Sequence, residues 1–352
     1  MTRTALLTRL ALSIGLAVSL APAAWAQTPK GAPKGAQPAT PAPAAQEPQV
    51  PAYVALPAPA LQIASHPDLV VEAIEIAIGI DRVTHTYRLR NKGSQELRLA
   101  ASVQLPDFSA SADGSEAYRV ATNNPNNPIG LAITVDGSPV TANVKASATA
   151  LGIDRTVELK AMNVPLMPFG PETDKAIAGL PPEQNAKLVA LGLLSPPDPE
   201  QPDAPIIADW TLSVTHGWEQ SLAPQKTTVA AISFRPISGS FELNKETASV
   251  LDEVKDDACL SPALIKTLKS RVQGKNAAPI AVTELAIANE APVRWTSVPE
   301  TMVAVNKPAP EVTVAFCGMD QKSAAATRVT GKAPDSDSSD SFRVLFFGAA
   351  AR

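Results

Sequence analysis

Hydrophobic and polar residues alternate most regularly between Trp210 and Trp218. A period of two is typical of a strand with one buried face. A polar segment over 221–226 has turn chemistry, and a second strand is predicted over Thr227–Arg235. We therefore predict a ribbon of two strands around which the rest of the chain is organised. Its two inward rows are expected to face each other, with Trp210, Leu212, Val214 and Trp218 against Ile232 and Phe234.

The same alternation predicts five strands in the segment 65–150. Asp81-Arg82 and the run Asn91–Ser94 have turn composition, so the first three strands are expected to form an antiparallel arrangement. Asp136-Gly137 is a strong hairpin signal between the last two. The predicted strands are Leu69–Ile80, Val83–Arg90, Leu97–Leu105, Leu131–Val135 and Val140–Lys145.

Prolines, glycines and capping residues predict short helices elsewhere. These helices are Arg155–Met162, with Asp154 as a cap, Pro181–Gly192 and Ser261–Gly274. Further strands are predicted over 238–245, 280–288, 302–306, 312–316 and 342–347. The expected fold is mainly β: antiparallel β-sandwich-like lobes with a few short helices inserted between and within them.

The pattern divides the ordered chain into an N-terminal β-sandwich lobe, 65–150, and a C-terminal β-rich lobe with one helix, 206–348. Short helices and a Pro-rich connector over 151–205 lie between them. The alternative is that both lobes form one domain, 65–348.

The N-terminus has the composition of a secretory signal peptide over 1–26. Arg3 and Arg9 precede an apolar core, and Ala24-Trp25-Ala26 is a small-x-small cleavage site. An uncut membrane anchor is the alternative, but the apolar core is short for a span. The expected location is periplasmic or secreted, with no membrane span after cleavage.

Residues 27–64 are rich in Ala and Pro and lack apolar periodicity. Such a composition cannot bury enough surface to offset its ordering entropy, so a disordered linker is predicted. A spacer that contacts peptidoglycan through Lys30 and Lys34 is the alternative.

Charge and aromatic content exclude some partners. The net charge of the full chain is −4, and cleavage of the signal peptide would remove Arg3 and Arg9, which leaves −4 − 2 = −6. This balance lacks the basic footprint that nucleic-acid backbones require. Aromatic residues make up 4% of the chain, which disfavours single-strand nucleic-acid and sugar-stacking grooves.

Two cysteines, Cys259 and Cys317, are expected to form a disulfide, because a lone pair in an oxidising compartment usually does so. The alternative is two free buried thiols. Neither cysteine has a neighbouring His or basic residue that would suggest a catalytic thiol.

Several short motifs are spread along the predicted β region. They are Asn127-Pro128-Ile129-Gly130, Val135-Asp136-Gly137, Gly152-Ile153-Asp154-Arg155-Thr156, Trp218-Glu219-Gln220 with Pro224, Arg235-Pro236 with Gly239, Cys259, and Phe316-Cys317-Gly318. With these motifs the chain resembles a bacterial family of exported proteins, domain of unknown function 4424, over about Pro67 to Phe347. The resemblance implies an exported β-rich domain with a hairpin and a cysteine pair, and it implies no activity.

No catalytic, cofactor-binding or metal-binding signature is present in the sequence. The histidines His66, His85 and His216 are far apart, although the last two could meet across the sheets. The acidic run Asp335–Asp340 lacks the glycine and closing glutamate of a calcium loop.

His216, Trp218 and Glu219 form the one candidate functional patch. On a strand, His216 and Glu219 point to opposite faces unless a bulge at Gly217 redirects one of them. We therefore expect His216 to be structural, although it is the one polar residue in its apolar row.

The function predicted from these features is that of a non-enzymatic, envelope-associated binding or structural module, whose partner is an unknown envelope protein or polymer. The alternative is a hydrolase of an envelope polymer or small ester that uses carboxylates, Glu219 with Asp107 or Asp209. Carboxylates that converge in one pocket would favour the enzyme.

Overall fold

A computed structural model describes residues 54–110, 118–195, 206–289, 292, 300–320, 325–334 and 341–348. All of them belong to one compact unit of the chain, 48–352. The predicted signal peptide, most of the predicted linker and the Asp335–Asp340 run lie outside the described residues.

The described residues are mainly β, as predicted, with short helices between the strands. The strands are β1 (Pro57–Ala58), β2 (Leu61–Ile63), β3 (Leu69–Ile78), β4 (Val83–Asn91), β5 (Leu97–Gln104), β6 (Phe108–Ser109), β7 (Ala132–Val135), β8 (Ser138–Pro139), β9 (Asn143–Ala150), β10 (Ile153–Asp154), β11 (Thr211–Leu222), β12 (Thr227–Phe234), β13 (Gly239–Leu243), β14 (Ile280–Ala288), β15 (Thr301–Asn306), β16 (Thr313–Phe316), β17 (Arg328–Lys332) and β18 (Ser341–Phe347). The helices are α1 (Thr156–Ala161), α2 (Pro171–Ala178), α3 (Pro182–Ala190), α4 (Val250–Glu253) and α5 (Pro262–Gln273).

Two large sheets enclose the main hydrophobic core. One has the order β10-β9-β11-β5-β2, with β6 also paired to β11, and the other has the order β17-β15-β3-β4-β12-β7-β8. Buried residues from both sheets belong to a single apolar cluster. The hydroxyl of Tyr87, on β4, accepts a hydrogen bond from the backbone N–H of Leu61, on β2 (3.1 Å), and so links the two sheets.

The predicted Trp210 ribbon is not a hairpin. β11 pairs with β5 and β9 in one sheet, whereas β12 pairs with β4 and β7 in the other. The predicted three-stranded arrangement is wrong for the same reason, since β4 and β5 also lie in different sheets. The two successive strands β4 and β5, like β11 and β12, therefore form an arch that crosses from one sheet to the other. An arch sets the two apolar rows face to face, whereas a hairpin would set them side by side in one sheet.

A third sheet carries a helical layer. Its order is β1-β14-β18-β16, with β13 paired to β14. One face of β18 contributes Val344 and Phe346 to the main core. The other face contributes Leu345 and Phe347 to a second cluster, which includes residues of α4 and α5. The predicted disulfide is present: Cys259, between the two helices, is bonded to Cys317, directly after β16. It joins the helical layer to this sheet.

The predicted lobes are interleaved in the sheets. β3 and β4 from the first lobe pair with β15 and β12 from the second. The pairings β1–β14 and β3–β15 are parallel, so the sheets are not purely antiparallel. β1 and β2 also lie within the range predicted to be a linker. Leu61 and Ile63 are buried there, which explains why these residues are ordered.

The helices mostly follow the sequence signals. α5 begins after Ser261, whose side chain accepts a hydrogen bond from the backbone N–H of Leu264, as its capping position predicts. Asp154 is not the cap of α1, because Arg155 occupies the N-cap position and makes no side-chain capping bond. The Asp154 carboxylate lies one residue earlier and accepts a hydrogen bond from the backbone N–H of Thr156. The short helices α2 and α4 were not predicted. No helix in the described part of the chain is long and apolar enough to cross a bilayer.

Candidate functional site

The predicted patch lies on β11, opposite β5. His216, Trp218 and Glu219 pair with Val103, Ala101 and Ala100 without a shift in register. Gly217 therefore forms no bulge. His216 is buried and Glu219 is exposed, so these two side chains point to opposite faces, as predicted.

The side chain of His216 is buried in the protein. It is 6% exposed, and its Nε2 atom makes no hydrogen bond within the residues that the structure describes. Burial lowers the pKa of His216, and a hydrogen bond to the backbone of Asn126 partly opposes this shift. His216 lies between Val214 and Trp218 in the inward-facing row of β11.

The two tryptophans of β11 have different environments. Trp210 is 2% exposed, and its indole N–H donates to the carbonyl of Leu166 (2.8 Å). Trp218 packs against the core but is only half-buried, so the expected joint burial holds for Trp210, Leu212 and Val214 but not for Trp218. The indole N–H of Trp218 donates to Oε1 of Gln220 (3.1 Å), and the amide of Gln220 donates to the carbonyl of Ser221 (2.8 Å).

Trp218 lines a cleft of about 410 Å³, which we call the Trp218 cleft. It forms because the pairing of β9 with β11 ends at Asn143 and Gly217, whereas β11 continues along β5 to Leu222. One wall comes from the turn before β9 and the other from β11. The lining residues are Val135, Val140, Thr141, Ala142, Asn143, Gly217, Trp218, Glu219 and Gln220.

The cleft combines an aromatic ring with amides and a carboxylate. Glu219 is exposed, and its Oε1 atom lies 3.9 Å from Nη1 of Arg98 on the neighbouring strand. The sequence drew attention to Trp218 and Glu219, but not to the wall around Asn143. That wall depends on where two strands separate, and alternation of residue types carries no signal for strand separation.

The carboxylates proposed for hydrolysis do not converge. Asp107 accepts a hydrogen bond from the hydroxyl of Ser213, also on β11. Ser213 and Glu219 are six residues apart on this strand, which places them about 20 Å apart. Asp209 precedes the first residue of β11 and lies further from Glu219 still. Paired catalytic carboxylates normally lie within about 10 Å of each other.

The histidines do not form a metal site with other ligands. No group of three or more His, Cys, Asp or Glu side chains that could hold a metal ion occurs among the described residues. His85 lies in the core, where its Nδ1 atom is 3.1 Å from the hydroxyl of Tyr87. Burial lowers the pKa of His85 from 6.5 to about 4, so the ring is neutral near pH 7.

A larger groove, of about 920 Å³, lies along α5. Lys269 and Asp252 form an ion pair in it (2.7 Å). This groove is open, and its lining mixes charged side chains with apolar ones such as Leu260 and Ile265. The Trp218 cleft differs because it holds a half-buried aromatic ring beside a strand that has lost its neighbour.

The family described as a domain of unknown function, DUF4424, matches residues 52–345, which is most of the chain. The chain belongs to the DUF4424 family. The resemblance drawn from the sequence motifs is thereby confirmed, and the family domain begins earlier than Pro67, at a position consistent with the buried strands β1 and β2.

No curated protein matches this DUF4424 chain. A crystal structure of a candidate nutrient-binding protein from Legionella pneumophila subsp. pneumophila str. Philadelphia 1 is similar to it, with 9% identity and a TM-score of 0.39. That match covers 81% of this chain and 70% of the other. An M1 zinc metallopeptidase of Deinococcus radiodurans has 9% identity and a TM-score of 0.24; the match covers 80% of this chain but only 43% of the peptidase. At these scores neither likeness bears on activity or ligand.

Proposed function

We propose that this DUF4424 protein is exported and acts as a non-enzymatic binding module of the cell envelope, with the Trp218 cleft as its binding site. The signal-peptide composition of residues 1–26 and the bond between Cys259 and Cys317 support an extracytoplasmic location. The partner is an envelope protein or polymer.

The half-buried Trp218 is the observation that carries this proposal. A tryptophan needed only for the core would be enclosed, as Trp210 is. Trp218 instead forms part of a cleft whose other groups, among them Asn143 and Glu219, can donate or accept hydrogen bonds. Half-exposed aromatic residues with nearby polar groups are enriched at recognition sites.

Binding is favoured over hydrolysis because the candidate carboxylates are dispersed. Glu219 has Arg98 as its charged neighbour, whereas Asp107 is bonded to Ser213 far along the same strand. An acid and a base that act on one substrate must both reach it. Neither Asp107 nor Asp209, the partners that the hydrolase alternative requires, lies close enough to Glu219 to share a substrate with it.

Capture of envelope components on the immobilised mature protein tests this proposal. We expect wild-type protein and a Met302→Ala control, altered at an exposed apolar residue outside the cleft, to retain the same component. Trp218→Ala should reduce its retention at least tenfold while the near-ultraviolet circular dichroism of Trp210 persists. Equal retention by all three proteins, or hydrolysis of an ester or glycoside panel that is lost in Glu219→Gln, would contradict the proposal.

A further inference from the structure

The C-terminal half of β11 has an open edge. From Thr211 to Gly217 the strand lies between β9 and the β5–β6 segment. From Trp218 to Leu222 it pairs with β5 on one side, and no described strand pairs with its other side. The Trp218 cleft lies beside this edge and provides space there.

The backbone groups at the edge can be assigned from neighbouring hydrogen bonds. The carbonyl of Val214 accepts from the N–H of Leu105, just after β5, so residue 214 points its polar groups towards β5. Because direction alternates along a strand, residues 216, 218, 220 and 222 do the same. The odd-numbered residues point the other way, and Gly217 is the last of them to have a β9 partner, Asn143.

A bond on the opposite strand agrees with this assignment. Ala148 of β9, which is paired with Leu212, uses its carbonyl to accept from the N–H of Arg155, on the side of β9 away from β11. The backbone N–H and C=O groups of Leu212 and Ala148 therefore point away from each other, as expected for an even-numbered residue of β11. It follows that Glu219 and Ser221 direct their N–H and C=O groups out of the open edge.

We propose that an extended peptide segment of a partner protein pairs with this edge as an added strand, bonded to the backbone of Glu219 and Ser221. Strand addition of this kind obtains its affinity from main-chain hydrogen bonds and its specificity from pockets for alternate side chains. Here Trp218, Val140 and Ala142 provide an apolar surface beside the edge. The inference rests on the proposed function, because it names the ligand class for the same cleft.

The amide of Gln220 supports this role for the edge. It donates to the carbonyl of Ser221, one of the two outward carbonyls, and is itself held by the bond from Trp218 to Oε1 of Gln220. A carbonyl oxygen has a second lone pair, so Ser221 can still accept from a peptide N–H. Gln220 is 5% exposed, so its amide is held against this carbonyl within the protein.

Selection of random 12-residue peptides on the mature protein tests the inference, with paired variants at one position. Glu219→Pro removes an outward N–H without removing a bond to β5, whereas Glu219→Ala removes the side chain and keeps the N–H. We expect an enriched peptide to bind wild-type protein and Glu219→Ala with affinities within threefold, and Glu219→Pro at least tenfold more weakly. Ser221→Pro and Ser221→Ala form a second pair in case Glu219→Pro does not fold.

The peptide itself gives an independent readout. N-methylation of its alternate residues should weaken binding at least tenfold, and methylation of the intervening residues should not. On binding, amide exchange should slow at Glu219 and Ser221 more than at Gln220, which already faces β5. The inference is wrong if no peptide is enriched, if the alanine and proline variants bind equally, or if the edge proves instead to pair with a second copy of the chain. Trp218-dependent capture of an envelope component that Glu219→Pro leaves intact would overturn this inference and leave the proposed function standing.

Discussion

The side-chain amide of Asn91 donates a hydrogen bond to the backbone carbonyl of Leu222, 2.9 Å away. Asn91 ends β4 and Leu222 ends β11, so this bond joins the starts of the two arches that cross the core. The same amide also donates to the carbonyl of Gln95 (2.7 Å), and its Oδ1 atom accepts from the N–H of Gly93 (2.8 Å). The fully buried side chain of Asn91 thus links the connection between β4 and β5 to the connection between β11 and β12.

Replacement of Asn91 should destabilise the whole sandwich. Asn91→Ala leaves the buried carbonyl of Leu222 without this donor, and we expect a loss of about 3 kcal/mol in the free energy of unfolding. Urea denaturation of the mature protein measures this. Gln95→Ala, at an exposed side chain in the same crossing, serves as the control and should change stability by less than about 0.5 kcal/mol. Equal effects of the two substitutions would refute the role of Asn91.

The disulfide should stabilise the helical layer in particular. Cys259 and Cys317 are 58 residues apart, and the loss of such a loop closure costs about 4 kcal/mol on the chain-entropy account. We expect the double variant Cys259→Ser/Cys317→Ser to lose stability on this scale and to exchange amide hydrogens faster in α4 and α5 than in β4. Non-reducing peptide mapping of exported protein should find the bond, and two alkylatable thiols would show the pairing to be wrong.

Acid should destabilise the protein through His85. Because burial lowers the pKa of His85 from 6.5 to about 4, the unfolded chain binds this proton more readily than the folded protein does. The contribution of His85 is fully present above pH 6.5 and is lost as the pH falls towards 4, by about 3 kcal/mol in total.

Comparison of unfolding free energies at pH 7.5 and pH 4.5 isolates this effect. Between pH 7.5 and pH 4.5, the free energy of unfolding should fall less for His85→Gln than for wild-type protein, even if the variant is less stable at both pH values. His66→Gln, altered at a half-exposed histidine, should retain the wild-type loss. If His85→Gln and wild-type protein lose the same amount, acid destabilisation has another source.

We expect export of this chain to release a mature protein that begins at Gln27. The apolar core followed by Ala24-Trp25-Ala26 predicts a cleavage site directly after Ala26. Mass spectrometry of the N-terminal peptide from an envelope fraction measures this. Ala24→Tyr, which spoils the small residue of the site, should leave the precursor uncleaved, and a wild-type protein that still starts at Met1 would support the anchor alternative.

Strand positions were largely predictable from the sequence, but strand partners were not. Alternation over β4, β5, β11 and β12 indicates which side chains are inward, and the structure buries these rows. The alternation is the same whether two successive strands form a hairpin or an arch, because both bury one face of each strand. The bond between Asn91 and Leu222, which links the two arches, joins residues 131 positions apart, and local alternation carries no signal for such a contact.

The candidate site was predictable in part for similar reasons. Trp218 and Glu219 stood out by residue type, and the opposite directions of His216 and Glu219 followed from the period of two. The cleft itself depends on β9 leaving β11 at Gly217. The strands β1 and β2 lie in the predicted linker, because strands of two and three residues show no periodic pattern against an Ala- and Pro-rich background.

The most direct test of the account is photocrosslinking in living cells at the rim of the Trp218 cleft. A photoreactive phenylalanine analogue replaces Glu219 in one strain and Lys275, exposed beyond the end of α5, in another. We predict that the residue 219 probe forms a discrete adduct with an envelope component, and that Trp218→Ala in the same chain abolishes this adduct, while the residue 275 probe does not form it. The same adducts from both positions, or an adduct at residue 219 that is indifferent to Trp218→Ala, would contradict the claim that this cleft is the binding site.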